Sequence, residues 1–352
     1  MQRCQDCTRP SDTQTNGKAM SMTGREDKIR AINWPQRKQW RLARHILFHF
    51  EFCYIVLYFV PLLLVAIPGT GWLSSCYSWL GKLVDGLIFV HILKLDPLQA
   101  SMHPGGSGDT ALAYFEQALK LIFAVTGSIL WTALDFNSPN HFRLEIWMRV
   151  LARYALAFAL FSYAIVKIIP TQFPPLGVMQ LTETYGASSP MRLLWNFMGF
   201  SSPYTIFAGC MELLPACLLI FRRTTLLGSL LGFAVLLNIV MLNFCYDVPV
   251  KLYSLNLLLL SIILILPDSR RLMTFFLMNS PPPSNPSEPY FRTVLLRRTA
   301  ILLKFVILAV FLSNTVSSAI ARYRVLASQP APPHYPLTSR GFNWVQENPY
   351  NK

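Results

Sequence analysis

The stretch Trp147–Ile169, WMRVLARYALAFALFSYAIVKII, determines how the rest of the chain is interpreted. About 20 predominantly apolar residues are needed to cross a bilayer as a helix, so this run predicts a transmembrane helix. Lys167 lies near its end, and a charge at bilayer depth costs about 2.5–3.5 kcal/mol on insertion scales. We therefore expect Lys167 to have a partner or a function inside the membrane.

Six further apolar runs approach the same length. They are His45–Ile67, Thr110–Leu134, Tyr204–Phe221, Leu226–Leu242, Val250–Leu266 and Ile301–Ile320. The whole chain is 53% hydrophobic and only 14% charged, whereas soluble domains average about 25% charged residues. The sequence thus predicts an all-α fold, a polytopic membrane helix bundle with about seven transmembrane helices.

The segment Gly71–Leu93 differs from these runs because Lys82 and Asp85 lie in its middle. Its apolar residues recur at spacings of three and four, and Trp72 and Trp79 are among them. This pattern predicts an amphipathic helix on the outer membrane surface, with tryptophan at head-group depth.

Loop charges indicate the orientation. The polar N-terminal tail 1–44 contains ten Lys and Arg residues against four acidic ones. Basic loops stay in the cytoplasm, so we expect a cytoplasmic N-terminus and an extracytoplasmic C-terminus in a bacterial cytoplasmic (inner) membrane. The net charge of +14 belongs mostly to residues flanking apolar runs. It therefore predicts contacts with the lipid bilayer, and no nucleic-acid partner.

Polar side chains at the outer half of the predicted bundle form the main functional hypothesis. The candidates for a shared outward-facing pocket are Tyr163, Lys167, Gln172, Glu212, Asn238, Asn243, Tyr246, Asp247 and Lys251. Glu212 would carry protons, bind an ion or anchor a polar ligand, and the alternative is a structural hydrogen bond between helices. Lys167 would face Glu212 or Asp247, and the alternative is that it extends to the lipid head groups.

Other polar residues have simpler interpretations. Asp247 and Lys251, four residues apart, would pair as a pocket rim or as a capped helix start. Glu116 and Lys120 predict a structural ion pair, and Arg153 predicts contact with cytoplasmic lipid phosphates. His45 and His49 have the spacing of two metal ligands, but the only nearby residues that could complete a set are Glu51, which points elsewhere on the helix, and Cys53. We therefore expect interfacial histidines and predict no metal site.

The third to sixth runs resemble the DoxX-like membrane proteins. The resemblance rests on Tyr163-x-x-x-Lys167-x-x-Pro170, on Gly209-x-x-Glu212, and on Arg222-Arg223-Thr-Thr before Gly228. Asn238 and the run Asn243–Lys251 add to it, and Ser189–Gly199 is similar to longer bacterial members. The resemblance implies a four-helix core over residues 147–278 and an association with membrane redox systems. Known examples are a subunit of a thiosulfate–quinone oxidoreductase and a methylamine-utilisation accessory protein.

The predicted organisation follows from these observations. It comprises a disordered cytoplasmic tail (1–44), two transmembrane helices with an outer interfacial helix (45–134), the DoxX-like core (147–278), a proline-rich cytoplasmic linker (279–300), a last transmembrane helix (301–320) and an extracytoplasmic tail (321–352). We expect a subunit or accessory factor of a membrane redox or envelope-maintenance system, with redox partner subunits and a quinone or lipid as ligand. If it is an enzyme at all, it would be a redox-associated subunit rather than a self-sufficient catalyst. The alternatives are a transporter, a cargo- or lipid-binding protein, and a non-catalytic scaffold.

Overall fold

In the computed structural model, residues 42–66, 69–87, 108–135, 141–281 and 293–328 are described, and their regular structure is helical throughout. The helices are α1 Leu42–Ala66, α2 Gly71–Leu87, α3 Ala111–Leu134, α4 Phe142–Ile168, α5 Val178–Thr182, α6 Pro190–Phe200, α7 Ser202–Ile220, α8 Thr225–Cys245, α9 Lys251–Ile265, α10 Ser269–Phe276 and α11 Val294–Ala327. The predictions for most of the two tails and the middle of the linker lie outside these residues.

Seven helical segments within this part of the chain are long and apolar enough to cross a membrane, which confirms the predicted number. They are Leu42–Leu64, Ala111–Leu134, Phe142–Ile168, Ser202–Ile220, Arg222–Cys245, Lys251–Phe276 and Val294–Ala327. Several begin or end beyond the apolar run that predicted them. α4, for example, begins at Phe142 rather than Trp147, and its first turns contain an ion pair between Glu145 and Arg149 at 2.5 Å.

α4 is the central helix of the bundle, because α1, α7, α9 and α11 all pack against it. Its buried face includes Ala152, Leu156 and Leu160. Small residues let helix backbones approach closely in a membrane, where apolar burial alone gives no preference for protein over lipid. The closest approach of this kind is between Gly209 of α7 and Ala164 of α4. The charged residues Lys167 and Glu212 lie at the same crossing of these two helices.

α2 is held against α1 by a hydrogen bond that proline makes available. Pro61 lies inside α1 and has no N–H group, so it leaves the carbonyl of Leu57, four residues earlier, without its helical donor. The hydroxyl of Tyr77 in α2 donates to that carbonyl at 2.7 Å. Trp72 and Trp79 remain exposed on α2, as the predicted interfacial helix requires.

Candidate functional site

The predicted partners Lys167 and Glu212 meet inside the bundle. Lys167 lies in the last turn of α4 and Glu212 in the middle of α7, and their side chains form a buried ion pair. Lys167 Nζ donates to Glu212 Oε1, and the two residues are only 7% and 2% exposed. Extension of Lys167 to the head groups is therefore excluded, because its ammonium group points into the protein.

The second carboxylate oxygen of Glu212 is the most informative atom of this pair. Glu212 Oε2 is buried and accepts no hydrogen bond from the described residues. A buried polar atom without a partner is costly, and native proteins rarely keep one that has no role. This oxygen is therefore available to a ligand or a proton.

Two residues of α7 bring Glu212 to Lys167. Gly209 lies one turn before Glu212, and a Cβ there would be 2.9 Å from the carbonyl oxygen of Ala164 in α4. Only glycine allows the two backbones to lie this close. Pro215 lies inside α7 and lacks an N–H group, so the carbonyl of Met211 loses its helical donor beside Glu212.

A series of tyrosines connects this pair with a small cavity. The ring of Tyr163, one turn before Lys167, lies 5.9 Å from the ring of Tyr253 in α9. Tyr253 and Tyr58 both line a cavity of about 140 Å³ between α1, α3 and α9. The ring of Tyr54 lies 6.0 Å from that of Tyr58, and its hydroxyl donates to Asn256.

The remaining walls of this cavity combine polar and apolar residues. They are formed by Gly108, Asp109, Ala113, Glu116, Gln117, Lys120, Val250 and Leu252. Glu116 and Lys120 form the predicted ion pair at 3.1 Å. Asp109 accepts hydrogen bonds from the backbone N–H groups of Lys251 and Leu252, at 2.6 and 3.3 Å, and so caps the start of α9.

Asp247 and Lys251 form a second ion pair in the turn between α8 and α9. The Asp247 side chain is 81% exposed, so this pair belongs to the rim of the bundle. Close by, Asn243 Nδ2 donates to Ser254 Oγ at 2.9 Å in the interior. The structure thus contains two separate pairs, one buried and one at the rim, rather than the single cluster of four charges that we expected.

The other predicted pocket residues are scattered. Gln172 follows α4, and its side-chain oxygen is buried without a hydrogen-bond partner among the described residues. Tyr246 is exposed at the end of α8. Asn238 is exposed on α8, because it lies about 140° around the helix from the buried Asn243. None of the nine predicted residues lines the cavity, although Lys251 is adjacent in sequence to two that do.

Two simpler interpretations need correction. Arg153 does not reach lipid phosphates, because it is buried, donates to Thr225 Oγ1 at 3.5 Å and lies over the ring of Tyr154. His45 and His49 are not surface histidines either. Both are buried, and His141, which no sequence motif connected with them, lies beside them. Only a three-dimensional arrangement could identify this third histidine, which is separated from the others by α2 and α3.

Comparison with known proteins gives one informative match. No family model and no solved structure matches this chain. The chain is 34% identical over 119 residues to the uncharacterized protein YwoB of Bacillus subtilis (strain 168). The aligned region covers 34% of this chain and 75% of YwoB. A match at this identity over most of the relative shows common descent, so the chain belongs to the same family as YwoB.

Proposed function

We propose that this protein is a DoxX-like integral membrane protein that binds the polar head of a quinone or lipid. It would serve as a subunit or accessory factor of a membrane redox or envelope-maintenance system. Its N-terminus lies in the cytoplasm of a bacterial cell, and the Lys167–Glu212 pair serves the outer half of the inner membrane.

The observation that carries this proposal is the unpartnered Oε2 atom of Glu212 beside Lys167. A quinone carbonyl or a lipid ester accepts hydrogen bonds, which the Lys167 ammonium group can donate. A quinol or lipid hydroxyl donates them, which Glu212 can accept. The pair therefore matches a head group that carries both kinds of oxygen, while the apolar tail remains in the bilayer.

The tyrosine-lined cavity supports the same proposal. It lies where the predicted outer ends of α3 and α9 meet, and Tyr253 connects its wall to Tyr163 next to the ion pair. The volume of about 140 Å³ is below the 300 Å³ or more typical of pockets that enclose a drug-sized ligand. It is large enough for water or for one end of a head group, so we assign it as the polar entrance.

Binding of a short-chain quinone to the purified chain in lipid nanodiscs tests this function. We expect saturable binding, and we expect Glu212→Gln to weaken it at least tenfold when the comparison is made at a temperature where both proteins are folded. The matched control is Glu145→Gln, which neutralises a less deeply buried carboxylate at the opposite end of α4. Mass spectrometry of small molecules that copurify identifies a lipid ligand in parallel.

A purely structural role gives a different result. In that case neither a quinone nor a specific lipid is retained by the wild type. Equal quinone affinity in wild type and a folded Glu212→Gln variant would also reject the proposal.

A further inference from the structure

We propose that His45, His49 and His141 bind a divalent transition-metal ion, with Zn²⁺ as the best match. Each histidine offers one ring nitrogen, and these three nitrogens lie within 4.8 Å of one another. The site lies at the end of α4 opposite to the Lys167–Glu212 pair. It is independent of the function proposed above.

Three helices create this cluster. His45 and His49 are one turn apart on the same face of α1, and His141 immediately precedes α4. α3 ends beside them at Leu134, followed by Asp135. His45 is 8% exposed and His49 is fully buried, so two of the three imidazoles are shielded from bulk water.

The hydrogen bonds of His49 locate its free electron pair. The Thr132 hydroxyl donates its one proton to the carbonyl oxygen of Ser128 at 2.7 Å. His49 Nδ1 lies 2.8 Å from the same hydroxyl, so this nitrogen must be the donor of that second bond. A neutral imidazole protonated on Nδ1 has its lone pair on Nε2. Nε2 of His49 is buried and has no hydrogen-bond partner among the described residues.

This arrangement is the usual outer shell of a metal-bound histidine. A ligating histidine usually donates a hydrogen bond from its second ring N–H group to an oxygen, which fixes the tautomer and the ring orientation. Thr132 fills this role for His49, and the Asp135 carboxylate is positioned to do so for His141, with Oδ2 3.4 Å from Nε2. His141 would then coordinate through Nδ1, in the carboxylate–histidine–metal pattern common in zinc sites.

Aromatic rings restrict the same imidazoles further. Trp131 stacks on His49 with ring centres 4.4 Å apart and an angle of 11° between the planes. Phe48 stacks on His141 at 5.7 Å and 9°. Rings held in this way lose little freedom when a metal binds, which favours affinity.

The donor set indicates which metals fit. Imidazole nitrogens suit Zn²⁺, Cu²⁺ and Ni²⁺, whereas Mg²⁺ and Ca²⁺ require oxygen ligands. At zinc–nitrogen distances of 2.0–2.1 Å, tetrahedral ligand atoms are about 3.4 Å apart, so the nitrogens need to approach one another by at most about 1.4 Å. Three histidines leave the fourth position for water or a substrate oxygen, as in catalytic zinc sites.

Titration with Co²⁺ provides the test, since tetrahedral Co²⁺ with nitrogen ligands has intense visible absorption bands. The full-length chain is purified without a polyhistidine tag, treated with a chelator and titrated in detergent. We expect one Co²⁺ per chain with a tetrahedral spectrum, and we expect Zn²⁺ to displace it. His49→Ala should lower the affinity at least 100-fold, whereas His334→Ala, which removes a histidine other than these three, should leave it unchanged.

Two conservative variants keep the test decisive if His49→Ala does not fold. His141→Asn retains a residue favoured at the position that precedes a helix, so α4 can start normally while a ligand is lost. Thr132→Val keeps all three ligands and removes only the partner of His49, so affinity should fall about 10–100-fold. Absence of stoichiometric Co²⁺ binding in the wild type, or equal binding in folded His141→Asn, would overturn the proposal.

Discussion

The two ends of α4 hold polar side chains in opposite ways. At one end, Lys167 and Glu212 carry full charges that neutralise each other inside the bundle. At the other, about 39 Å away along the helix axis, three imidazoles gather with the neutral tautomer of His49 fixed by Thr132. The comparison shows two solutions to the same problem, since a polar group buried in a membrane protein needs a partner or must remain neutral.

The difference has consequences for mutation. A buried ion pair is sensitive to loss of one member, because the remaining charge has no compensation in a medium of low dielectric constant. A neutral imidazole loses a hydrogen bond and packing but leaves no net charge behind. We therefore expect the charged end of α4 to govern stability more strongly than the histidine end when metal is absent.

The largest effect expected is that of Lys167→Met. It leaves the Glu212 carboxylate buried and unpaired, which typically costs about 3–5 kcal/mol. Unfolding in detergent by increasing amounts of SDS measures the change. The double variant Lys167→Met/Glu212→Met should recover most of the loss, because an apolar pair of similar volume often replaces a buried ion pair at little cost. A double variant as unstable as the single one would contradict this interpretation of the pair.

Gly209→Ala tests the close packing that brings the charges together. The added Cβ would lie 2.9 Å from the backbone oxygen of Ala164, so α4 and α7 must separate. Such overpacking typically costs about 1–3 kcal/mol, measured in the same unfolding assay. The matched control is Gly81→Ala in α2, where an added Cβ has no neighbour within 4 Å and alanine stabilises the helix.

Thr132→Val examines the histidine end without altering a ligand. With a chelator present, loss of its bond to His49 should cost about 1 kcal/mol, which is typical of a single hydrogen bond. Addition of Zn²⁺ should raise the stability of the wild type more than that of the variant. Equal stabilisation of both proteins by Zn²⁺ would mean that Thr132 does not orient a ligand.

The smallest effect is expected at the rim, for Asp247→Asn. An exposed ion pair contributes about 0–1 kcal/mol, and asparagine tolerates the positive φ of 51° at this position. Asp247→Ala loses the same charge but adds backbone strain, so it should destabilise the protein more than Asp247→Asn does. Equal unfolding midpoints for the two variants would show that the strain is absent.

The sequence was sufficient to predict the membrane helices and the polar residues at one end of α4, where Lys167 lies. Apolar runs of spanning length identify α4 and its neighbours because the bilayer imposes a minimum length on each helix. The cost of burying a charge identified Lys167 and Glu212 as a functional hypothesis. These inferences succeed because each depends on one residue and its depth along a helix.

The remaining features depend on how helices are arranged around one another. Asn238 has a polar side chain of the kind that lines pockets, but it is exposed. The direction in which it points depends on the rotation of α8 about its axis, which the sequence does not specify. The cavity brings Asp109 and Gln117 together with Tyr253 from a distant part of the chain. His141 completes the histidine cluster only because α1 and α4 are neighbours. No local pattern of residues determines such contacts.

Thiol labelling measures directly which side of the membrane each end of α4 faces. In a cysteine-free background, Tyr185→Cys places a thiol in the exposed connection between α4 and α6, and Arg222→Cys places one in the exposed turn after α7. A reagent that cannot cross membranes should label Tyr185→Cys in intact bacteria and Arg222→Cys only after the cells are opened. The reverse pattern would place Lys167 and Glu212 on the cytoplasmic side and contradict the outward-facing site.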